Sequence, residues 1–144
     1  MDTLVKSLNG LNTMLVDSRN GYTEAAKVAK EPALKALFQD MIDLHTANIA
    51  EVSRHVARLG GDGDTTGSFM STVHRTVVDI RSAVTGLTAA SLKAFASGEE
   101  NILRSYDEIV QIAGIDGDLG AAMIRQRALV ASRIEFMNRQ AAAA

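Results

Sequence analysis

Apolar residues recur at alternating three- and four-residue steps through most of the chain, the spacing that lines up side chains on one face of an α-helix. Leu4, Leu8, Leu11, Leu15, Ser18, Tyr22, Ala25 and Ala29 form the first such stripe. It predicts a helix from Thr3 to Lys30, with Asp2 or Thr3 as its cap. Lys30-Glu31-Pro32 then reads as a sharp turn, proline being suited to the first position of a new helix. A second helix is expected over Pro32–Leu59, with the stripe Leu34, Phe38, Met41, His45, Ile49, Val52, Val56 and Leu59. Gly60-Gly61 ends it, as glycine commonly does.

Gly60 to Ser68 is rich in glycine and aspartate and predicts a loop. A shorter helix is expected over Phe69–Val84, carrying Phe69, Val73, Val77, Ile80 and Val84, until Thr85-Gly86 interrupts it. The next long helix starts near Thr88 or Ser91 and reaches Ala113, with Leu92, Phe95, Glu99, Ile102, Tyr106, Ile109 and Ala113 in register. Gly114 to Gly117 is a turn, and Asp116 or Asp118 caps a last helix bearing Leu119, Met123, Gln126, Val130, Ile134 and Met137. The Ala141–Ala144 tail is expected to fray. The order is hairpin, long crossover, hairpin. This predicts an all-α, antiparallel four-helix bundle of the ferritin-like kind, with a short extra helix in the crossover. Residues 1–144 show neither repeat nor linker and are expected to form a single domain.

Composition narrows the function classes. Basic and acidic side chains number 15 and 17, a formal charge of −2, without the basic excess of a nucleic-acid footprint. There is no cysteine, which excludes a disulfide framework, a thiol nucleophile and Cys-ligated zinc. Met1-Asp2-Thr3-Leu4 shows no basic segment followed by an apolar run, so no secretory signal is expected. No apolar run approaches the roughly 18 residues of a membrane span, so a cytoplasmic location is the expectation.

Several segments are similar to an uncharacterised bacterial family of ferritin-like four-helix-bundle proteins, known as a domain of unknown function. The matching stretches are Leu8-Asn9-Gly10-Leu11, Asp17 through Tyr22 with Glu24-Ala25-Ala26, Leu59-Gly60-Gly61, and Gly67-Ser68 leading to His74-Arg75. Val84-Thr85-Gly86 and Ser97-Gly98-Glu99-Glu100 with Tyr106 complete the set, which spans nearly the whole chain. The resemblance implies a ferritin-like fold and implies no activity.

The chemistry sits where polar groups interrupt apolar stripes: Ser18 and Tyr22, His45, Glu99, and Gln126. An unpaired buried carboxylate is costly, so Glu99 needs a partner, a metal or solvent. One reading is a metal centre, iron or another divalent ion, using His45 and Glu99. Ferritin-like di-iron sites take a Glu from each of two helices and Glu-x-x-His from the other two. Here Ile42 precedes His45 by three residues, the last helix has no Glu-x-x-His, and Ser18 stands where a Glu is wanted. One Glu and one His are too few for two hard metal ions. The other reading is a buried polar network of Tyr22, His45, Glu99, Tyr106 and Gln126, with Arg19, Arg127 or His45 as the partner of Glu99. Such networks fix helix register more than they add stability.

Other motifs read as structure. His74-Arg75 is expected to lock the crossover to the bundle, and His55, between Arg54 and Arg58, to be solvated or at a subunit contact. Asp62-Gly63-Asp64-Thr65-Thr66-Gly67 loosely matches a calcium loop, but its twelfth position is Val73 rather than the required Glu. No nucleophile elbow or phosphate loop occurs. No catalytic or cofactor-binding residue, and no small-molecule substrate, emerges. The expected function is a non-enzymatic structural or interaction protein, stress-associated roles included, without nucleic-acid or membrane partners. Apolar positions beyond one stripe (Val5, Val16, Ala26, Val28, Leu103, Val110) favour a homo-oligomer. The alternative is a ferritin-like iron-handling protein or oxidase.

Overall fold

Helix α1 covers Asp2–Val28 and α2 covers Pro32–Arg58, matching the two leading stripes to within two residues at each end. The computed structural model describes residues 2–61 and 87–144. The helix expected over Phe69–Val84, the His74-Arg75 pair and the Asp62–Gly67 stretch lie outside the described residues. After them come a 3-10 turn at Ala89–Ser91, helix α3 over Leu92–Ala113 and helix α4 over Asp118–Ala143. Among the described residues the protein is helical with no strand, and no helix is long and apolar enough to cross a membrane.

The ends of these helices follow from local chemistry. Glu31 is extended (φ −75°, ψ 128°) and Pro32 opens α2, where its missing N–H has no partner to lose. At the other end Gly60 has φ +80°, a left-handed conformation that glycine adopts without a Cβ clash. Its N–H bonds Ala57 O at 3.0 Å and the Gly61 N–H bonds Val56 O at 3.0 Å, the paired closure of a Schellman motif. The α3–α4 turn needs positive φ at both Gly114 (+83°) and Gly117 (+95°). Gly117, rather than Asp116 or Asp118, is the residue that caps α4. The tail expected to fray continues α4 as far as Ala143.

Helix α1 packs along α2 and α3 along α4; α1 also lies on α3, and α4 touches α2 and the 3-10 turn. The shared interior is built from Leu8, Leu11, Leu15, Tyr22, Phe38, Met41, Val52, Tyr106, Ile109, Met123, Val130 and Met137, each at most 1% exposed. Two departures from the stripes are instructive. Ala96 is buried while Phe95 is only half-buried, and Asn48 is buried while Ile49 is half-buried. Each helix meets two neighbours, so its buried arc is wider than one stripe and its centre rotates toward the larger contact. Asn12 falls inside such an arc and donates from Nδ2 to Ser53 Oγ at 3.0 Å, tying α1 to α2.

Candidate functional site

Ser18 and Tyr22 stand four residues apart on α1, so both project from one face about one turn apart. His45 comes from the middle of α2 and Glu99 from α3. The three helices bring these side chains to a single atom, Glu99 Oε1. Ser18 Oγ donates to it at 2.7 Å and the Tyr22 hydroxyl at 2.8 Å. His45 Nε2 lies 2.8 Å from the same oxygen. A carboxylate only accepts, so Nε2 carries the proton of this hydrogen bond. Tyr22 OH is also 3.8 Å from Met137 Sδ, which brings α4 to the cluster. His45 and Glu99 are 0% and 1% exposed. Glu99 Oε2 and His45 Nδ1 are buried with no hydrogen-bond partner among the described residues.

The electrostatics follow from that geometry. Burial by itself would raise the Glu99 pKa. The hydrogen bond and attraction of His45, with the hydroxyls of Ser18 and Tyr22, outweigh it and hold the carboxyl below its ordinary range. Glu99 is therefore ionised near neutral pH. Burial, then the adjacent Glu99 charge, pushes the Tyr22 phenol well above its ordinary value and keeps it a donor. Aromatic rings wall the cluster: Tyr22 stacks on Phe95 with centroids 5.2 Å apart, and Phe38 lies 5.2 Å from Phe95 and 5.9 Å from Tyr22. They add packing and exclude water around the charge.

Tyr106 and Gln126, both fully buried, belong to a second group that reaches the surface through Glu51 and Arg125. Tyr106 donates to Gln126 Oε1 at 2.8 Å, and Gln126 Nε2 donates to Glu51 Oε1 at 2.6 Å. Arg125 Nη2 grips both Glu51 oxygens at 2.7 and 2.6 Å and lowers the Glu51 pKa. Burial, then the charges of Glu99 and Glu51, raises the Tyr106 pKa. The five residues singled out in the sequence thus divide: Tyr22, His45 and Glu99 in one hydrogen-bonded group, Tyr106 and Gln126 in another. Of the partners foreseen for Glu99, His45 fills the role. Arg127 bonds Asp107 instead, at 2.5 and 3.2 Å.

Of the two readings of His55, solvated or at a subunit contact, the first is overturned, since the residue is only 9% exposed. It lines a cavity of about 470 Å³ with Glu51, Arg54, Arg58, Asp118 and Arg125, where α2 meets the start of α4. Burial, then the neighbouring Arg58, lowers its pKa. Sequence reasoning passed over Asn12, Asn48, Glu51 and Arg125. Asn12 and Asn48 had a signal, since each lies three or four residues from buried stripe positions. Glu51 and Arg125 had none, because their pairing depends on how α4 lies on α2.

A di-iron centre does not fit this donor set. Among the described residues no three or more His, Cys, Asp or Glu side chains cluster as a metal site. His45 and Glu99 face each other through an existing hydrogen bond, whereas an iron pair needs several carboxylates.

Comparison with known families gives one match. The family described as Domain of unknown function (DUF2383) matches residues 3–111, most of the chain. No curated protein and no solved structure matches it.

Proposed function

Because the chain belongs to the DUF2383 family, which carries no assigned activity, we propose from the geometry that it is a non-enzymatic ferritin-like bundle with a structural or interaction role. One observation carries this reading: a single ionised Glu99 oxygen accepts from Ser18, Tyr22 and His45 at 2.7–2.8 Å. A buried charge held this way is geometrically demanding, so it selects one helix register over its neighbours. That is a device for fold specificity. It engages Oε1 of the one carboxylate that a ferritin-like oxidase would need for metal.

In this proposal residues 1–144 act as one domain whose helices run antiparallel, with a short helix in the crossover. The pairings of Asn12 with Ser53, and of Tyr22 with Phe38, support that direction for α1 against α2. The protein acts as a homo-oligomer in the cytoplasm, with neither nucleic acid nor membrane as partner. Ile112, Ile115, Ile124 and Leu129, each 45–66% exposed, supply apolar surface for self-association.

Anaerobic loading with ferrous iron, desalting and elemental analysis test the proposal. The expected result is no stoichiometric iron and no iron-dependent oxygen uptake. Two irons per chain with rapid oxygen consumption would establish the oxidase instead.

A further inference from the structure

Helices α2 and α4 each present one face to the cavity of about 470 Å³ that His55 lines. From α2 come Glu51, Arg54, His55 and Arg58, and from α4 come Asp118, Ala121, Ala122 and Arg125. Both sets follow the i, i+3, i+4, i+7 spacing of a single helix face. The middle of the α4 face is two alanines, whose side chains are too short to fill the space between the charged residues. The volume lies within the range of small-molecule sites, roughly 300–1,000 Å³.

The charges around this cavity do not balance. Arg125 holds both Glu51 oxygens, at 2.7 and 2.6 Å, and that pair neutralises itself. Arg54 and Arg58 remain, with Asp118 as the further acid in the lining. Both arginines are exposed, and neither has an ion pair or a side-chain hydrogen bond among the described residues. They stand four residues apart on α2, about 6 Å between Cβ atoms, so two guanidinium groups can close on one anion. Their forks match the oxygen geometry of a phosphoryl group. His55 lines the same cavity, makes no side-chain hydrogen bond, and its ring nitrogens are not among the fully buried unpaired atoms. The 26-residue helix α4 begins here, so the positive end of its dipole adds to the field. Burial, then Arg58, lowers the His55 pKa against the opposing pull of Glu51 and Asp118. The ring is therefore neutral at neutral pH, and an anion beside it would favour the protonated form.

The ligand class follows from the lining. Two unpaired guanidinium groups with an imidazole call for a tetrahedral oxyanion. The same arginines repel a metal cation, and no aromatic side chain lines the cavity to stack a base. We propose that the α2–α4 cavity binds a phosphoryl dianion, as free phosphate or as a small phosphomonoester, through Arg54 and Arg58, with His55 as a further donor once protonated. This site is separate from the Glu99 cluster and goes beyond the structural role proposed above.

Proton NMR of the His55 ring in the full chain, titrated at constant ionic strength, tests it. Inorganic phosphate, glycerol phosphate and sulfate are expected to shift His55 saturably, with Kd of about 1 mM, as suits roughly two charge-assisted hydrogen bonds. Chloride is expected not to, and the buried His45 ring should stay unmoved. Tighter binding of glycerol phosphate than of phosphate identifies the ligand as an ester; equal binding identifies it as free phosphate. Sulfate, which stays doubly charged, should bind roughly threefold tighter near pH 6 than near pH 7.5, and His55→Gln should remove that difference. Arg58→Gln should weaken all three anions about tenfold, and Asp118→Asn should strengthen them by removing the opposing charge. Circular dichroism of each variant should match the parent. Four outcomes overturn the proposal: no saturation by phosphate or its ester, the same shift with chloride, unchanged binding in folded Arg58→Gln protein, or sulfate affinity independent of pH.

Discussion

Glu99 and Asp17 are two acids on neighbouring helices with opposite fates. Glu99 is buried and its pKa is lowered because three donors outweigh the burial. Glu99→Leu would leave two hydroxyls and a ring N–H facing an apolar side chain. It should cost about 3 kcal/mol in denaturant unfolding, whereas Glu99→Gln, which keeps an acceptor, should cost less than about 2 kcal/mol. Asp17 has its pKa raised by burial, so the folded state favours its neutral form. A raised carboxyl pKa means stability declines as pH rises through that pKa. Asp17→Asn should therefore raise the melting temperature at neutral pH, and the gain should vanish in acid where both proteins are uncharged at this position. A gain independent of pH would show that Asp17 is not strained by its charge. Glu99 was legible in the sequence as a carboxylate on an apolar stripe. Asp17, one residue beside Ser18 of the α1 stripe, carried no such signal, because a stripe drawn one residue wide leaves out its neighbouring ridge.

Among the elements, helix ends tell how much local chemistry decides. Pro32 and Gly60 bracket α2 where proline and glycine rules place them. Gly60 at φ +80° tolerates no Cβ without strain, so Gly60→Ala should destabilise by about 1–2 kcal/mol. Gly98 is the opposite case: it lies within α3, its Cβ direction is open, and no positive φ requires glycine there. Gly98→Ala should stabilise by up to about 1 kcal/mol through helix propensity, read from the same unfolding curves. Periodicity located the four long helices because each buries a face long enough to average out exceptions. It was less exact about which residue centres each face. Leu92–Ala113 buries Ala96 more deeply than Phe95, whose ring packs against Tyr22 and Phe38 from the edge of the shared core. The α4 tail was misread because four alanines were taken as a frayed end, although alanine is the best helix former and simply extends the preceding turn.

For the whole molecule, four helices share one interior, and the polar cluster spans three of them with Met137 of α4 at its edge. Its consequences for stability should appear in acid. His55 and Glu99 both have pKa values below their ordinary ranges in the folded protein. In each case the unfolded chain takes up a proton before the folded one does, so stability falls as pH decreases. Loss should begin near the ordinary histidine range, roughly pH 6.5, and steepen through the ordinary carboxylate range near pH 4.5. The division of the polar residues into two groups was not legible beforehand. Stripe positions give the height of a residue along its helix, whereas contact across helices depends on their rotation and offset. Glu99 is thus a buried, ionised acceptor that organises three helices. Carbon-13 NMR of its side-chain carboxyl as a function of pH tests that most directly. The titration midpoint is expected below that of an ordinary glutamate and higher in Tyr22→Phe protein than in the parent. A midpoint at or above the ordinary value, unmoved by Tyr22→Phe, would contradict it.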